Sequence, residues 1–318
     1  VKYPAVLTSA ALAAALATAP VAAADQTAVF LGGTGTGYVP SGPTPPAAFV
    51  TPFVTGPYVG INHVYDGAPT TTPQASVPGL AAVVAAEQAK GNTVTVIGLS
   101  KGAQVAQASM HDGTAPAPGT VRYVLIGNPD RDGGANTAAG LRPAYGEVRY
   151  NVNNVYAEYD GFADWPSDPK NALAMANALA GIVFIHPYYG TGKAADPLKN
   201  IDQATVTVTD NLDANGKPNG TTTTDTRIPT KELPLTKPLR DTLKTWHQST
   251  KPVDDLDAKL RPQIDAGYNR TGTTTPAPKP VKRPNLGGPG NPVHDTVKTV
   301  QGALRNTAKT WAPKKPKV

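Results

Sequence analysis

The chain has 318 residues, no cysteine, a formal charge of +6 and an isoelectric point near 9.3. That length buries a full core without covalent staples, and the lack of cysteine removes disulfides, thiolate metal sites and cysteine nucleophiles together. Between positions 271 and 318, nine Lys or Arg face Asp295 alone, so the first 270 residues are slightly acidic and the composition argues against a nucleic-acid partner.

Lys2 precedes an alanine-rich apolar run from Ala5 to Ala19, and the small residues Val21 to Ala24 stand before Asp25. This is the pattern of an export signal over residues 1–24, with cleavage expected near Ala23 or Ala24. The run is shorter than the ~20 residues that span a bilayer, so no transmembrane span is expected in the mature protein. The expected location is secreted or associated with the cell envelope.

Thr27 to Leu31 is a short apolar run ending in Gly32-Gly33-Thr34-Gly35, the pattern of a buried strand followed by a tight loop. A proline-rich connection follows. Pro78 to Lys90 carries Leu80, Val83 and Val84 on one helical face, with Gly91 where a C-terminal cap belongs. Thr93 to Ile97 is β-branched throughout and runs into Gly98, and Lys101 to Met110 reads as a helix that begins directly after Ser100. Further strands are expected at Val121 to Ile126 and Asn154 to Tyr159, with an alanine-rich helix from Asn171 to Ala180. Strands alternating with helices predict a mainly parallel sheet covered on both faces, with the site beyond the carboxyl ends of the strands. From Thr205 the texture changes to a threonine-rich β-hairpin turning at Asn215-Gly216 and laid on the main body. Residues 271–318 are Pro, Thr, Lys and Gly, a tail expected to be disordered or wall-associated. The organisation is thus a signal at 1–24, one α/β domain at 25–270, and the basic tail.

Gly98-Leu99-Ser100-Lys101-Gly102 is a G-x-S-x-G element after a predicted strand and before a predicted helix, the setting of the nucleophile in α/β-hydrolases. Glycines are needed because the serine sits on a strained turn, where side chains two positions either way collide with backbone. A serine hydroxyl is a weak nucleophile and needs a histidine held by a carboxylate, in the chain order Ser, Asp or Glu, His. His111 lies too close to Ser100, and His247 and His294 sit in polar, proline-rich sequence, which leaves His186. Two carboxylates precede it in Tyr159 to Pro166. Asp164 is favoured, because it lies past the Gly161 turn in a loop that reaches the histidine, while Asp160 is the alternative carboxylate and is expected to fix the loop through backbone amides. Backbone amides at Gly33 and Thr34, with Lys101, are the candidate oxyanion donors. A phosphate-binding reading of the glycine loop fails, since no G-K-[ST] ending is present and no helix opens there.

Taken in order, these stretches resemble the PE-PPE domain family, cutinase-like serine esterases and acyltransferases of mycobacteria and related actinomycetes. The resemblance rests on Leu31 to Gly35, Gly98 to Ala103, Ile126 to Arg131 with Gly133-Gly134, and Tyr159 to Pro166. It extends through His186 with Tyr189, Ile228-Pro229-Thr230, Pro238-Leu239-Arg240 and Leu260-Arg261-Pro262 to Tyr268. It implies an α/β-hydrolase fold and a Ser-Asp-His triad, matched by Ser100, Asp164 and His186. Two features depart from the family pattern. An ordinary signal peptide is expected in place of a PE or PPE helical region, and Lys101 stands where the family often has glutamine, a cation expected to favour an anionic or polar acyl acceptor. The expected activity is exported ester hydrolysis on an acyl ester or lipid substrate, with no cofactor and no metal. Transfer of the acyl group to a sugar or glycolipid hydroxyl is the alternative. A non-catalytic cell-wall protein, holding anionic envelope polymer through its basic tail, is a further one.

Overall fold

The computed structural model describes residues 26–34, 44–143 and 145–270. The export signal at 1–24 and the basic tail at 271–318 lie outside the described residues.

Seven strands form one sheet in the order β2-β1-β3-β4-β5-β7-β6. They are β1 (Gln26–Leu31), β2 (Val59–Asn62), β3 (Thr93–Leu99), β4 (Val121–Ile126), β5 (Asn151–Ala157), β6 (Thr205–Leu212) and β7 (Pro218–Ile228). Every neighbouring pair is parallel except β6 with β7. The helices are α1 (Ala47–Val50), α2 (Val77–Ala89), α3 (Lys101–Ser109), α4 (Ala135–Ala138), α5 (Ala172–Phe184), α6 (Lys237–Thr245) and α7 (Lys251–Asp265). Among the described residues none is long and apolar enough to cross a membrane.

The central strands are apolar on both faces because helices cover both. On β3, Val94 and Val96 enter the core shared with Leu80 and Val84 of α2 and Val105 of α3. Ile97 and Leu99 face the opposite core, which takes in Phe49 of α1, Ala174 of α5 and Ile264 of α7. The alternation repeats on β4, where Tyr123 and Leu125 enter the first core and Val124 and Ile126 the second. The chain leaves β1 for β2 on one side and returns to β3 on the other, so the strand order reverses between β1 and β3. In open parallel sheets that reversal opens a crevice at the carboxyl ends of the strands. Gly33 follows β1 there and Ser100 follows β3.

The expected strands and helices form, with three differences. β5 is shifted toward the N-terminus and ends at Ala157; α5 runs through the apolar Ile182 to Phe184. The threonine-rich hairpin is not laid on the body. Its second strand pairs in parallel with β5, Val152 opposite Thr223 through Ala157 opposite Ile228, so the hairpin extends the sheet. The polar helices α6 and α7 carry no apolar run strong enough to announce them. They are joined by Arg240, 3% exposed, which bonds to Asp254 and, at 2.8 Å, to Asp257.

Candidate active site

Ser100 stands between β3 and α3 with φ 53° and ψ −110°, a conformation that costs a non-glycine residue about 1–3 kcal/mol. Packing around it leaves no alternative. A Cβ on Gly98 would lie 2.4 Å from the Gly102 carbonyl oxygen, and one on Gly102 would lie 2.3 Å from that of Leu31. The Ser100 amide donates to the Ile126 carbonyl at 2.8 Å, and its own carbonyl accepts from Gln104 at 3.1 Å. The turn is thereby fastened to β4 and to the first turn of α3, and the hydroxyl is held above the sheet edge.

His186 opens a short 3₁₀ helix, His186–Tyr188, just past α5. Its Nε2 lies 2.8 Å from Ser100 Oγ, and its Nδ1 lies 3.0 Å from both carboxylate oxygens of Asp160. The carboxylate accepts the Nδ1 proton, which leaves Nε2 as the acceptor for the serine hydroxyl. The ring is 10% exposed and the Asp160 side chain 0%. Phe162 packs edge-on against the imidazole, with ring centroids 4.7 Å apart. Gly127, at φ 58°, makes room beneath it, since a Cβ there would come within 3.1 Å of His186 Cε1 and of the Tyr189 ring.

The acid beside His186 is therefore Asp160, and the expectation for Asp164 is corrected. Gly161 does not carry the chain outward toward the histidine. It passes so close under α5 that a Cβ would lie 2.0 Å from the Ala178 carbonyl oxygen. Asp164 Oδ2 instead accepts from the Tyr159 amide at 2.7 Å and from the Arg270 guanidinium at 2.5 Å. Tyr159 has φ 63°, so Asp164 holds the strained residue next to Asp160. The backbone-fixing role expected of Asp160 is present as well, since its Oδ1 accepts from the Phe162 amide at 3.0 Å.

Gly33 lies against Ser100, where an added Cβ would sit 3.6 Å from Ser100 Cβ. Gly33 is buried and Thr34 exposed, and both follow β1 at the rim of the crevice. The Lys101 amide opens α3, where backbone N–H groups have no intrahelical acceptor and the positive end of the helix dipole lies. Its side chain does not flank Ser100 as a free cation. Lys101 is 5% exposed, and its ammonium donates to the Ala68 carbonyl and, at 2.7 Å, to that of Thr71. Burial lowers its pKa, and the nearby Asp66 offsets part of that shift. The expected attraction of an anionic acceptor by Lys101 therefore has no exposed charge to act through. Nor does the hairpin overhang the site. Its outer strand β6 is four strands from β3, roughly 19 Å at the usual strand spacing.

Nothing in the sequence pattern assigns Tyr189 a role. Its hydroxyl donates to Asp160 Oδ2 at 2.9 Å and accepts from the Ala157 amide at 2.8 Å, which ties the carboxylate to the end of β5. The phenol is 0% exposed; burial and the Asp160 charge raise its pKa well above the ordinary value. The other histidines that follow Ser100 stand apart. His111 ends the α3 segment stacked on Tyr145, exposed His247 follows α6, and His294 lies outside the described residues.

Chains of similar sequence include an esterase and an acyltransferase. Esterase PE16 of Mycobacterium tuberculosis is 31% identical over 296 residues, which cover 81% of this chain and 52% of its own. Diacyltrehalose acyltransferase Chp2 of the same organism is 35% identical over 55% of this chain and 50% of its own. The chain thus spans about half the length of the curated relatives it matches. A cutinase-like protein from Cryptococcus sp. superposes on 44% of this chain and 79% of its own, with a TM-score of 0.34 and 21% identity. The PE-PPE domain model matches residues 69–269, a span that takes in Ser100, Asp160 and His186, and the chain belongs to the PE-PPE domain family.

Proposed function

We propose that this protein is an exported serine esterase that cleaves acyl esters, with Ser100 as nucleophile, His186 as base and Asp160 as the acid that orients it. What supports the reading is one observation, the His186 ring bridging Ser100 Oγ and the buried Asp160 carboxylate. Ser100 Oγ attacks the ester carbonyl carbon while its proton passes to His186 Nε2. The carbonyl electron pair moves onto oxygen, where the amides of Gly33 or Thr34 and of Lys101 stabilise it. Collapse of the tetrahedral species expels the alcohol, which leaves with the proton from His186. Water then attacks the acyl-serine by the same route in reverse, and free acid departs.

The test is labelling with a fluorophosphonate. Ser100 alone takes the label, and Ser100→Ala abolishes both labelling and ester hydrolysis; labelling that survives the substitution overturns the assignment.

The second reading replaces water with a sugar or glycolipid hydroxyl, and the names of two relatives favour it, the diacyltrehalose acyltransferase and an SL1278 acyltransferase. Both reactions pass through the same acyl-enzyme, so product partition decides between them. A donor ester is supplied with and without a disaccharide acceptor, and free acid and acylated sugar are followed together. Free acid dominates for an esterase. Acylated sugar dominating in water makes the protein a transferase.

A further inference from the structure

One segment of the crevice braces both sources of oxyanion hydrogen bonds, and its key side chain belongs to no motif. After β2 the chain continues alongside β1, with the His63 amide donating to the Phe30 carbonyl at 2.9 Å. It then turns through Tyr65 and Asp66 to Thr71. Asp66 stiffens this turn by accepting from the Ala68 amide at 2.9 Å and from the Thr71 hydroxyl. On one side the Lys101 ammonium holds it through the Ala68 and Thr71 carbonyls, which ties it to the residue after the nucleophile. On the other, the Tyr65 hydroxyl donates to the Gly32 carbonyl at 2.6 Å. The same residues enclose a small recess lined by Gly32, Gly33, His63 and Tyr65.

The Gly32 carbonyl and the Gly33 N–H belong to one planar trans peptide, so fixing the oxygen fixes the hydrogen on the opposite side. Without such a bond a Gly-Gly peptide is the least constrained unit in a chain. Here the flanking residues set its location. The Gly32 oxygen would lie 2.6 Å from a Cβ on Gly102, and Gly33 abuts Ser100. Burial raises the Tyr65 pKa, so the hydroxyl keeps its proton and remains a donor.

We propose that Tyr65 is a positioning residue for the oxyanion. Its hydroxyl, by donating to the Gly32 carbonyl, locks the Gly32–Gly33 peptide so that the Gly33 N–H receives the negative oxygen formed when Ser100 attacks. This rests on the serine-enzyme reading above. Electrostatic catalysis depends on donors fixed before charge develops, because reorienting them during the reaction costs the free energy they would supply. Tyr65 touches neither nucleophile nor base; it acts through the peptide.

The test is Tyr65→Phe, which keeps the ring and removes the hydroxyl. Rates are expressed per fluorophosphonate-titrated site, so that any loss of folded enzyme drops out. On a soluble ester kcat is expected to fall about 10- to 100-fold, below the ~10²–10³ that losing a donor outright costs, while KM stays within about twofold. A trifluoromethyl ketone of matching chain, which presents the tetrahedral oxyanion, is expected to lose affinity by the same factor as kcat/KM. The corresponding alcohol, which presents none, is expected to keep its affinity. A kcat within about twofold of wild type, or a ketone affinity that stays put while kcat falls, overturns the role of Tyr65 and leaves the triad standing. A wild-type protein that neither labels at Ser100 nor hydrolyses esters overturns the serine-enzyme reading, and this inference with it.

Discussion

The two carboxylates of the turn after β5 differ in what donates to them. Asp160 accepts from the histidine, from the Tyr189 hydroxyl and from the Phe162 amide, and is wholly shielded from solvent. Asp164 accepts from the Tyr159 amide and from Arg270. Asp160→Asn is therefore expected to lower kcat by ~10⁴-fold through loss of histidine orientation, as in triads generally. Asp164→Asn is expected to act on stability, by about 1–3 kcal/mol for a charged hydrogen bond, with a far smaller effect on rate. Kinetics per titrated site together with thermal unfolding separate the two, and the reverse ranking overturns the assignment. The juxtaposition of Ser100 and His186 was legible in the sequence because each satisfies a local requirement, glycines around a strained serine and a histidine just past a helix. The choice of aspartate was not. It depends on Gly161 passing under α5, a contact between residues 17 apart in the chain. Tyr65 was invisible for a similar reason, since its partner Gly32 is 33 residues away and no periodicity marks the segment between.

Among the elements, strands buried on both faces were the easiest to read. β1, β3 and β4 are short runs of mostly apolar and β-branched residues, and their type and place follow from that composition. Helices α6 and α7 were not foreseen, because their few apolar residues, such as Val253 and Ile264 of α7, are set among charged ones that pair across the two helices, Arg240 with Asp254 and Asp257. The hairpin was foreseen as a hairpin, but nothing in a threonine run states which strand it joins. One element carries a pH sensitivity. His111, one residue beyond the C-cap of α3, is stacked on Tyr145, and burial, followed by the charges of Arg142 and Arg149, lowers its pKa to about 4. The folded protein then resists taking up a proton that the unfolded chain, with a histidine pKa near 6.5, accepts readily. Stability from this group is complete above about pH 6.5 and is lost as pH falls toward 4. The melting temperature of the wild type is expected to drop more steeply across that window than that of His111→Gln. Parallel curves for the two proteins show that another group is responsible.

At the scale of the whole molecule, Arg270 supports the turn that carries Asp160 and Asp164. The Arg270 guanidinium lies over the rings of Tyr159 and Tyr268, at 4.4 and 4.1 Å, and bonds to Asp164 and Asp265. Gly267 fits so closely against the start of α5 that a Cβ would lie 2.5 Å from that of Ala174. Residues 267–270 thus clamp the turn that presents Asp160, while the excess positive charge lies entirely in 271–318. We propose the domain boundary directly after Arg270, with the tail serving retention on anionic envelope polymer. A chain ending at Arg270 is then expected to keep its turnover on a soluble ester and its melting temperature, and to bind isolated envelope more weakly. Added salt should weaken binding of the full chain in the same way, because exposed charge is screened over ~10 Å at 0.1 M ionic strength. A chain ending at Ala266 loses the clamp and is expected to melt earlier and turn over more slowly, through the Tyr159–Asp164 turn. If the cut after Arg270 already abolishes turnover on the soluble ester, the tail belongs to the folded unit and the boundary is wrong. If both shortened chains match the full chain in turnover and melting, Arg270 supports nothing, and the Asp160 turn holds itself in place through Tyr189.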